Sequence, residues 1–237
     1  MMNKYLQLIL LYNFFVPSSI MKRDAKQKVT KKTDSQEYYY ESLAGKLLGS
    51  KAREALILKE IKKIKKTDSF LEVGCAQGYY LSHALKKTKK VFGIDVVDSF
   101  IHVAKKTGAS VTVASATKLP QKSSSMDVVL CTETLEHVKH WEDAISEIKR
   151  VLKPYGRAII TIPLENSYFW KVFSLIYEPE KYRGHVSLLK SYQIEDEFKS
   201  FKLKKKQFIQ TPSRSLNNVL PGKEKISMYC FFVFEKK

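Results

Sequence analysis

Two stretches of this 237-residue sequence carry reactive side chains at spacings that suit chemistry. In Glu133-Thr134-Leu135-Glu136-His137, two carboxylates and an imidazole stand at i, i+3 and i+4, so on a helical turn they would share one face. His137 could then act as general base toward an acceptor hydroxyl, with Glu136 beside it. Alternatively Glu133, Glu136 and His137 could hold Mg²⁺ or Mn²⁺, with His185 as a ligand from elsewhere in the chain.

The second stretch is Glu72-Val73-Gly74-Cys75-Ala76-Gln77-Gly78. Glycines at 74 and 78 let the backbone turn tightly after a strand and bring amide groups close to a ligand. The start of the following helix favours a negatively charged group. Asp95 stands 23 residues after Glu72, at the end of the next strand, where a dinucleotide-type fold binds ribose hydroxyls. Ala76 and Tyr79 break the G-x-G-x-x-G pattern. Alanine at 76 is a small change, tolerated if its φ is negative.

The elements that must position these groups alternate, which argues for parallel βαβ units. Strands are expected at Ser69–Val73, Val91–Ile94, Ser110–Ala114, Met126–Cys131 and Arg157–Ile162, with two late strands at Phe201–Gln210 and Met228–Glu235. A helix capped by Ser50 carries Ile57, Ile61 and Ile64 on one face. Further helices are expected at Tyr79–Lys86 and, capped by Asp98 and closed by Gly108, at Ser99–Lys106. Trp141, Ala144, Ile145, Ile148, Val151 and Leu152 repeat at helical spacing and stop at Lys153-Pro154-Tyr155-Gly156, a turn signal.

Residues 37–237 therefore read as one α/β domain, and residues 1–36 as an extension. The extension opens with the apolar run Tyr5–Val16, too short to cross a bilayer. It reads as a signal-peptide core, a membrane-surface anchor beside the basic segment Met21–Gln36, or an artefact preceding a true start at Met21. Cys75, Cys131 and Cys230 form neither a disulfide framework nor a zinc motif and suit a reducing cytoplasm. The formal net charge of +18 points either to anionic neighbours, nucleic acid or lipid, or simply to a lysine-rich composition.

As a set, these segments resemble the class I S-adenosylmethionine (SAM)-dependent methyltransferases, in order along the chain. Glu72–Gly78 resembles their [D/E]-x-G-x-G-x-G turn. Gly93-Ile94-Asp95 looks like the ribose-binding acid, and Ser115-Ala116-Thr117-Lys118-Leu119-Pro120 like the loop beside the adenine. Ser125–Val129, Leu135-Glu136-His137-Val138 and Leu152–Gly156 resemble the entries and exits of the fourth and fifth strands. The resemblance implies a Rossmann-like doubly wound sheet, mostly parallel with one antiparallel strand near the C-terminus. It also implies that Glu72, Gly74, Cys75, Ala76, Gln77, Gly78, Asp95, Val96, Ser115, Ala116 and Thr132 bind SAM. Ser115 replaces the usual aspartate and so offers a weaker acceptor.

The E-x-x-E-H pattern with a later histidine resembles ubiquinone-biosynthesis O-methyltransferases and RNA 3′-terminal 2′-O-methyltransferases. In metal-free relatives the glutamate caps a turn and the histidine packs under the ligand. The implied activity is methyl transfer to an oxygen of a small-molecule or lipid-linked acceptor, with His137 and Glu136 catalytic. The rivals are an RNA methyltransferase and a SAM-binding regulatory protein without turnover. Tyr168, Phe169, Trp170, Phe173 and Tyr177–His185 are expected to form the acceptor pocket.

Overall fold

A computed structural model describes residues 50–168, 185–209 and 224–237. Seven strands form one sheet in the order β3-β2-β1-β4-β5-β7-β6. They are β1 (Ser69–Val73), β2 (Lys90–Asp95), β3 (Ser110–Val113), β4 (Met126–Thr132), β5 (Leu152–Pro163), β6 (Lys202–Ile209) and β7 (Tyr229–Glu235). The first five pair in parallel. β7 is antiparallel to both β5 and β6, so it alone runs against the rest. The chain moves outward from β1 to β3, then returns to β4 on the other side of β1. Strand order reverses there, and in doubly wound sheets a ligand cleft opens at the strand C-termini of that point.

The sequence explains why the sheet is covered on both faces. All five residues of β1, SFLEV, are buried. A strand without polar alternation needs cover above and below. Phe70 packs in one core with Ile57, Ile61, Leu81 and Phe231. Its neighbour Leu71 packs in the other with Ile145, Ile148, Phe198 and Phe232. Helices α1 (Ser50–Ile61), α2 (Tyr79–Leu85) and α3 (Asp98–Ala104) contribute to the first core. Helices α4 (Trp141–Val151) and α5 (Ser191–Glu197) contribute to the second. In α4, Trp141, Ala144, Ile145, Ile148 and Val151 are buried on one face; Glu142 and Asp143 start the helix and Lys149 and Arg150 end it, each sign at its favourable terminus.

Two local expectations are corrected. Asp98 is the first residue of α3 rather than its cap; Val97 holds the cap position and no side chain bonds there. The Lys153–Gly156 segment does not separate α4 from a strand but lies inside β5. It forms an irregularity between the pairs Met126/Leu152 and Val128/Arg157, with Tyr155 at φ 61. Gly108 does close the α3 region, at φ 87. The apolar and basic N-terminal segments, the aromatics Phe169, Trp170 and Phe173, and Tyr177–Gly184 lie outside the described residues.

Candidate active site

The donor side is built from two turns tied by one carboxylate. After β1 the chain folds back through Gly74 at φ 74 and Gly78 at φ 85. The backbone N–H groups of Gly74 and Cys75 both donate to the Ile94 carbonyl, at 2.8 and 2.9 Å. Asp95 then closes the arrangement. Its Oδ2 accepts from Ala76 N at 2.9 Å and its Oδ1 from Val97 N at 3.0 Å. Ala76 sits at φ 41, outside the negative range that alanine tolerates easily, and its N–H faces Asp95 from inside a left-handed turn. A Cβ is costly in that region of backbone space.

A cleft of about 390 Å³ opens beside these turns. Of the expected SAM-binding residues, Gly74, Ala76, Asp95, Val96, Ser115, Ala116 and Thr132 line it. Glu72, Cys75, Gln77 and Gly78 do not. Glu72 is 2% exposed and accepts a hydrogen bond from the Leu81 backbone N–H in the first turn of α2. Burial pushes its carboxyl well above the usual range, Asp95 adds to the rise, and the Leu81 bond opposes it. Its role is to hold the start of α2, with its second oxygen left without a partner. Cys75 is buried, and a Cβ at Gly93 would come within 3.0 Å of its Sγ. Gly78 lies against Ala104 and Thr107. The Ser115 hydroxyl lies 2.8 Å from Thr117 Oγ1 and accepts from Thr117 N at 3.2 Å, closing its own turn.

The acceptor side follows β4, and its side chains part company. Leu135–His137 forms a short 3₁₀ turn, but Glu133 precedes it at φ 49 and does not share its face. Glu133 Oε2 pairs with Arg53 Nη1 at 2.9 Å, and its Oε1 accepts from Thr161 Oγ1 at 2.8 Å. Arg53 reaches across from α1 and lies 4.6 Å over the Tyr229 ring. Burial raises the Glu133 carboxyl, and Arg53 works against that rise.

Glu136 is 1% exposed, and neither carboxylate oxygen has a hydrogen-bond partner among the described residues. Burial and the neighbouring Glu133 push it well above the usual carboxylate range. Potential ligand atoms of Glu136, His137 and His185 lie within 4.8 Å of one another. The two imidazoles meet edge to face at 4.6 Å, and His185 Nδ1 bonds Glu165. The segment that delivers His185 is stitched down: Val186 N and Ser187 N both donate to the Glu136 carbonyl, at 2.9 and 3.1 Å. Three of the four expected metal ligands thus converge, and Glu133 is drawn away to Arg53. Glu133 and His137 also line the cleft, which places donor and acceptor sides in one space.

Comparison with known proteins meets this geometry at the same residues. Residues 71–160, from β1 to the middle of β5, match the model of a family described as a methyltransferase domain. That stretch is less than half of the chain, and it is similar to a methyltransferase domain. An uncharacterized protein of Methanocaldococcus jannaschii is 26% identical over 63% of this chain and 71% of its own length. A ubiquinone biosynthesis O-methyltransferase of Idiomarina loihiensis is 28% identical over 42% of this chain, which spans only 44% of that relative. The structure of a SAM-dependent methyltransferase from Archaeoglobus fulgidus superposes with a TM-score of 0.64 at 15% identity. The superposition covers 86% of this chain and all of the other, a likeness of fold.

The sequence pattern does not single out Arg53, Thr134, Thr161 or Tyr229 as site residues. Arg53 and Tyr229 lie outside the matched segment and meet only through the packing of α1 on β7. Thr134 carried a signal: a small β-branched residue two positions after the end of β4. Its Oγ1 lies 3.0 Å from the Thr132 carbonyl and 3.2 Å from that of Val73, bridging the two strands that flank the cleft.

Proposed function

We propose that the protein transfers the methyl group of SAM to an oxygen of a small-molecule or lipid-linked acceptor. The observation that carries this reading is the single cleft walled on one side by Gly74, Ala76, Asp95 and Ser115 and on the other by Glu133 and His137. The donor fits the site: Gly74 and Ala76 stand at the cleft wall, and Asp95 offers carboxylate oxygens there. When bound, SAM supplies an intrinsically electrophilic methyl group, so the protein's work is position and deprotonation. In this reading Gly74, Ala76, Asp95, Val96, Ser115, Ala116 and Thr132 hold the donor. His137 takes the acceptor's hydroxyl proton.

Alternatively, Glu136, His137 and His185 would hold Mg²⁺ or Mn²⁺, with His137 then a ligand and not the base. A fully buried carboxylate with two unpartnered oxygens is expensive unless something positive meets it, which supports a cation there. Bound to the acceptor, such an ion would lower the hydroxyl pKa. Relatives that act in ubiquinone biosynthesis favour a phenolic acceptor over an RNA ribose. Among the described residues no helix is long and apolar enough to cross a membrane.

Calorimetry with S-adenosylhomocysteine should show one site, abolished by Asp95→Ala. No binding by the unaltered protein would overturn the donor reading. Calorimetry with Mn²⁺ should show a second site, lost in Glu136→Gln while S-adenosylhomocysteine binding survives. Equal Mn²⁺ binding by both proteins would remove the metal.

A further inference from the structure

The end of the fold away from the cleft carries charge for which methyl transfer has no use. The run Lys62-Lys63-Ile64-Lys65-Lys66 leaves α1, and the run Lys86-Lys87-Thr88-Lys89-Lys90 joins α2 to β2. All eight lysines are exposed. Folding holds the two runs together. Thr88, 2% exposed, donates its hydroxyl to the Asp68 carbonyl at 2.7 Å and lies 3.2 Å from that of Lys66. Lys90 Nζ donates to the Thr67 carbonyl at 3.2 Å.

The local acids do little to balance this. Glu60 is engaged by Lys63 at 2.7 Å and by Arg157 at 3.1 Å, and Asp68 caps the Lys65 backbone N–H at 2.9 Å. On the outer strand β6, Lys205 extends the charge. Its ammonium is depressed first by burial and then by Lys59 and Lys63, despite the opposing pull of Glu60. The basic surface is therefore a stripe from β2 to β6. It crosses five strand spacings, about 24 Å at roughly 4.8 Å per spacing.

Helix C-termini favour lysine, and lysines on an edge strand deter aggregation. Neither effect calls for three lysines in the four residues between α2 and β2, with a fourth opening β2, locked against a second lysine run. Like charges held this close repel one another, and an anionic partner would relieve the repulsion. Neither lysine run contains an exposed large apolar side chain; toward β6, Tyr155 and Leu203 are exposed singly, too sparse to insert into a bilayer, and an exposed ring beside basic charge suits stacking on a base. An elongated basic stripe fits a linear polyanion.

We propose that this stripe binds the phosphodiester backbone of a single-stranded nucleic acid, as an anchor at the opposite end of the sheet from the cleft. The anchor is independent of the methyl-transfer reading, since it uses none of that site's residues.

The test is fluorescence anisotropy of the full chain with a labelled 20-nucleotide oligouridine across a salt series. Each lysine–phosphate contact on a single strand contributes about 0.7 to the log–log salt slope. The variant Lys65→Glu/Lys66→Glu/Lys87→Glu/Lys89→Glu should therefore lower the slope by about 3 and weaken binding at least tenfold. A charge-matched control, Lys122→Glu/Lys190→Glu/Lys199→Glu/Lys225→Glu, should lose much less. S-adenosylhomocysteine affinity should be unchanged in both, which separates this proposal from the donor reading and reports folding. Unaltered RNA binding in the stripe variant, or equal losses in the control, would overturn it. So would capture by phosphatidylglycerol vesicles without RNA binding at 150 mM salt, which would assign the stripe to an anionic bilayer.

Discussion

Thr134 fills the space that any side chain at position 74 would need. A Cβ built on Gly74 comes within 2.6 Å of Thr134 Cγ2 and closer still to its Oγ1. The Thr134 hydroxyl cannot swing aside freely, since it lies within hydrogen-bond reach of the Thr132 and Val73 carbonyls. The donor turn and the acceptor loop are thus in steric contact, and neither can move without the other.

Gly74→Ala should accordingly destabilise the fold by about 3 kcal/mol. A left-handed backbone costs an L-residue about 1–2 kcal/mol, and overpacking adds about 1–3. S-adenosylhomocysteine binding should weaken with it. Pairing the change with Thr134→Ala, which removes both clashing atoms, should recover part of the stability in urea denaturation. No recovery would show that backbone strain alone accounts for the loss.

Ala76 presents the reverse situation. Its φ of 41 is a conformation glycine tolerates and alanine does not favour. Ala76→Gly should stabilise the protein by about 0.5 kcal/mol, the relief of left-handed strain exceeding glycine's added chain entropy. Ala76→Val, whose branched Cβ crowds the same backbone, should destabilise it. Urea midpoints that rank valine above alanine would contradict this account.

The fold was legible in the sequence because local signals agreed with one another. The buried strands SFLEV and MDVVLC, the Gly108 stop and the amphipathic period of α4 all recur in the structure. The donor turn was legible as a turn but not as a set of contacts: side-chain direction on β1 sends Glu72 toward α2, and spacing does not reveal that. Around Glu133 the helical period misled, since a left-handed residue at 133 breaks the assumed face before Glu136. Arg53 was out of reach altogether, because its partner stands eighty residues away and the two meet only when α1 packs.

Stability should fall in acid through Asp127. Partial burial works against ionisation of this carboxyl, but bonds from Lys153 Nζ, Ser69 N and Ser69 Oγ outweigh it and hold the pKa below its ordinary 3.8. A carboxylate depressed in this way adds stability above the unfolded value and loses it as pH falls through the folded value. Asp127→Asn should cost about 1 kcal/mol at pH 7, discounted for partial exposure. The two proteins should converge in thermal melts at a pH well below the ordinary aspartate value. A gap that persists at that pH would mean the side chain acts through shape, not charge.

The Arg53–Glu133 pair should behave as a buried ion pair whose halves depend on each other. Their side chains are only 8% and 15% exposed, and Arg53 is fixed further by the Tyr229 ring beneath it. Removing the cation leaves Glu133 buried with only Thr161 as support, and breaking such a pair costs about 3–5 kcal/mol. Arg53→Met should fall at the lower end of that range, because methionine keeps part of the packing against Tyr229. Glu133→Gln should cost less, since the amide can still accept from Thr161. The double variant should be more stable than the sum of the single losses predicts, by about 2 kcal/mol, because it leaves no uncompensated charge. Strict additivity in urea denaturation would mean the two residues act separately, and α1 would then be joined to the site by packing alone.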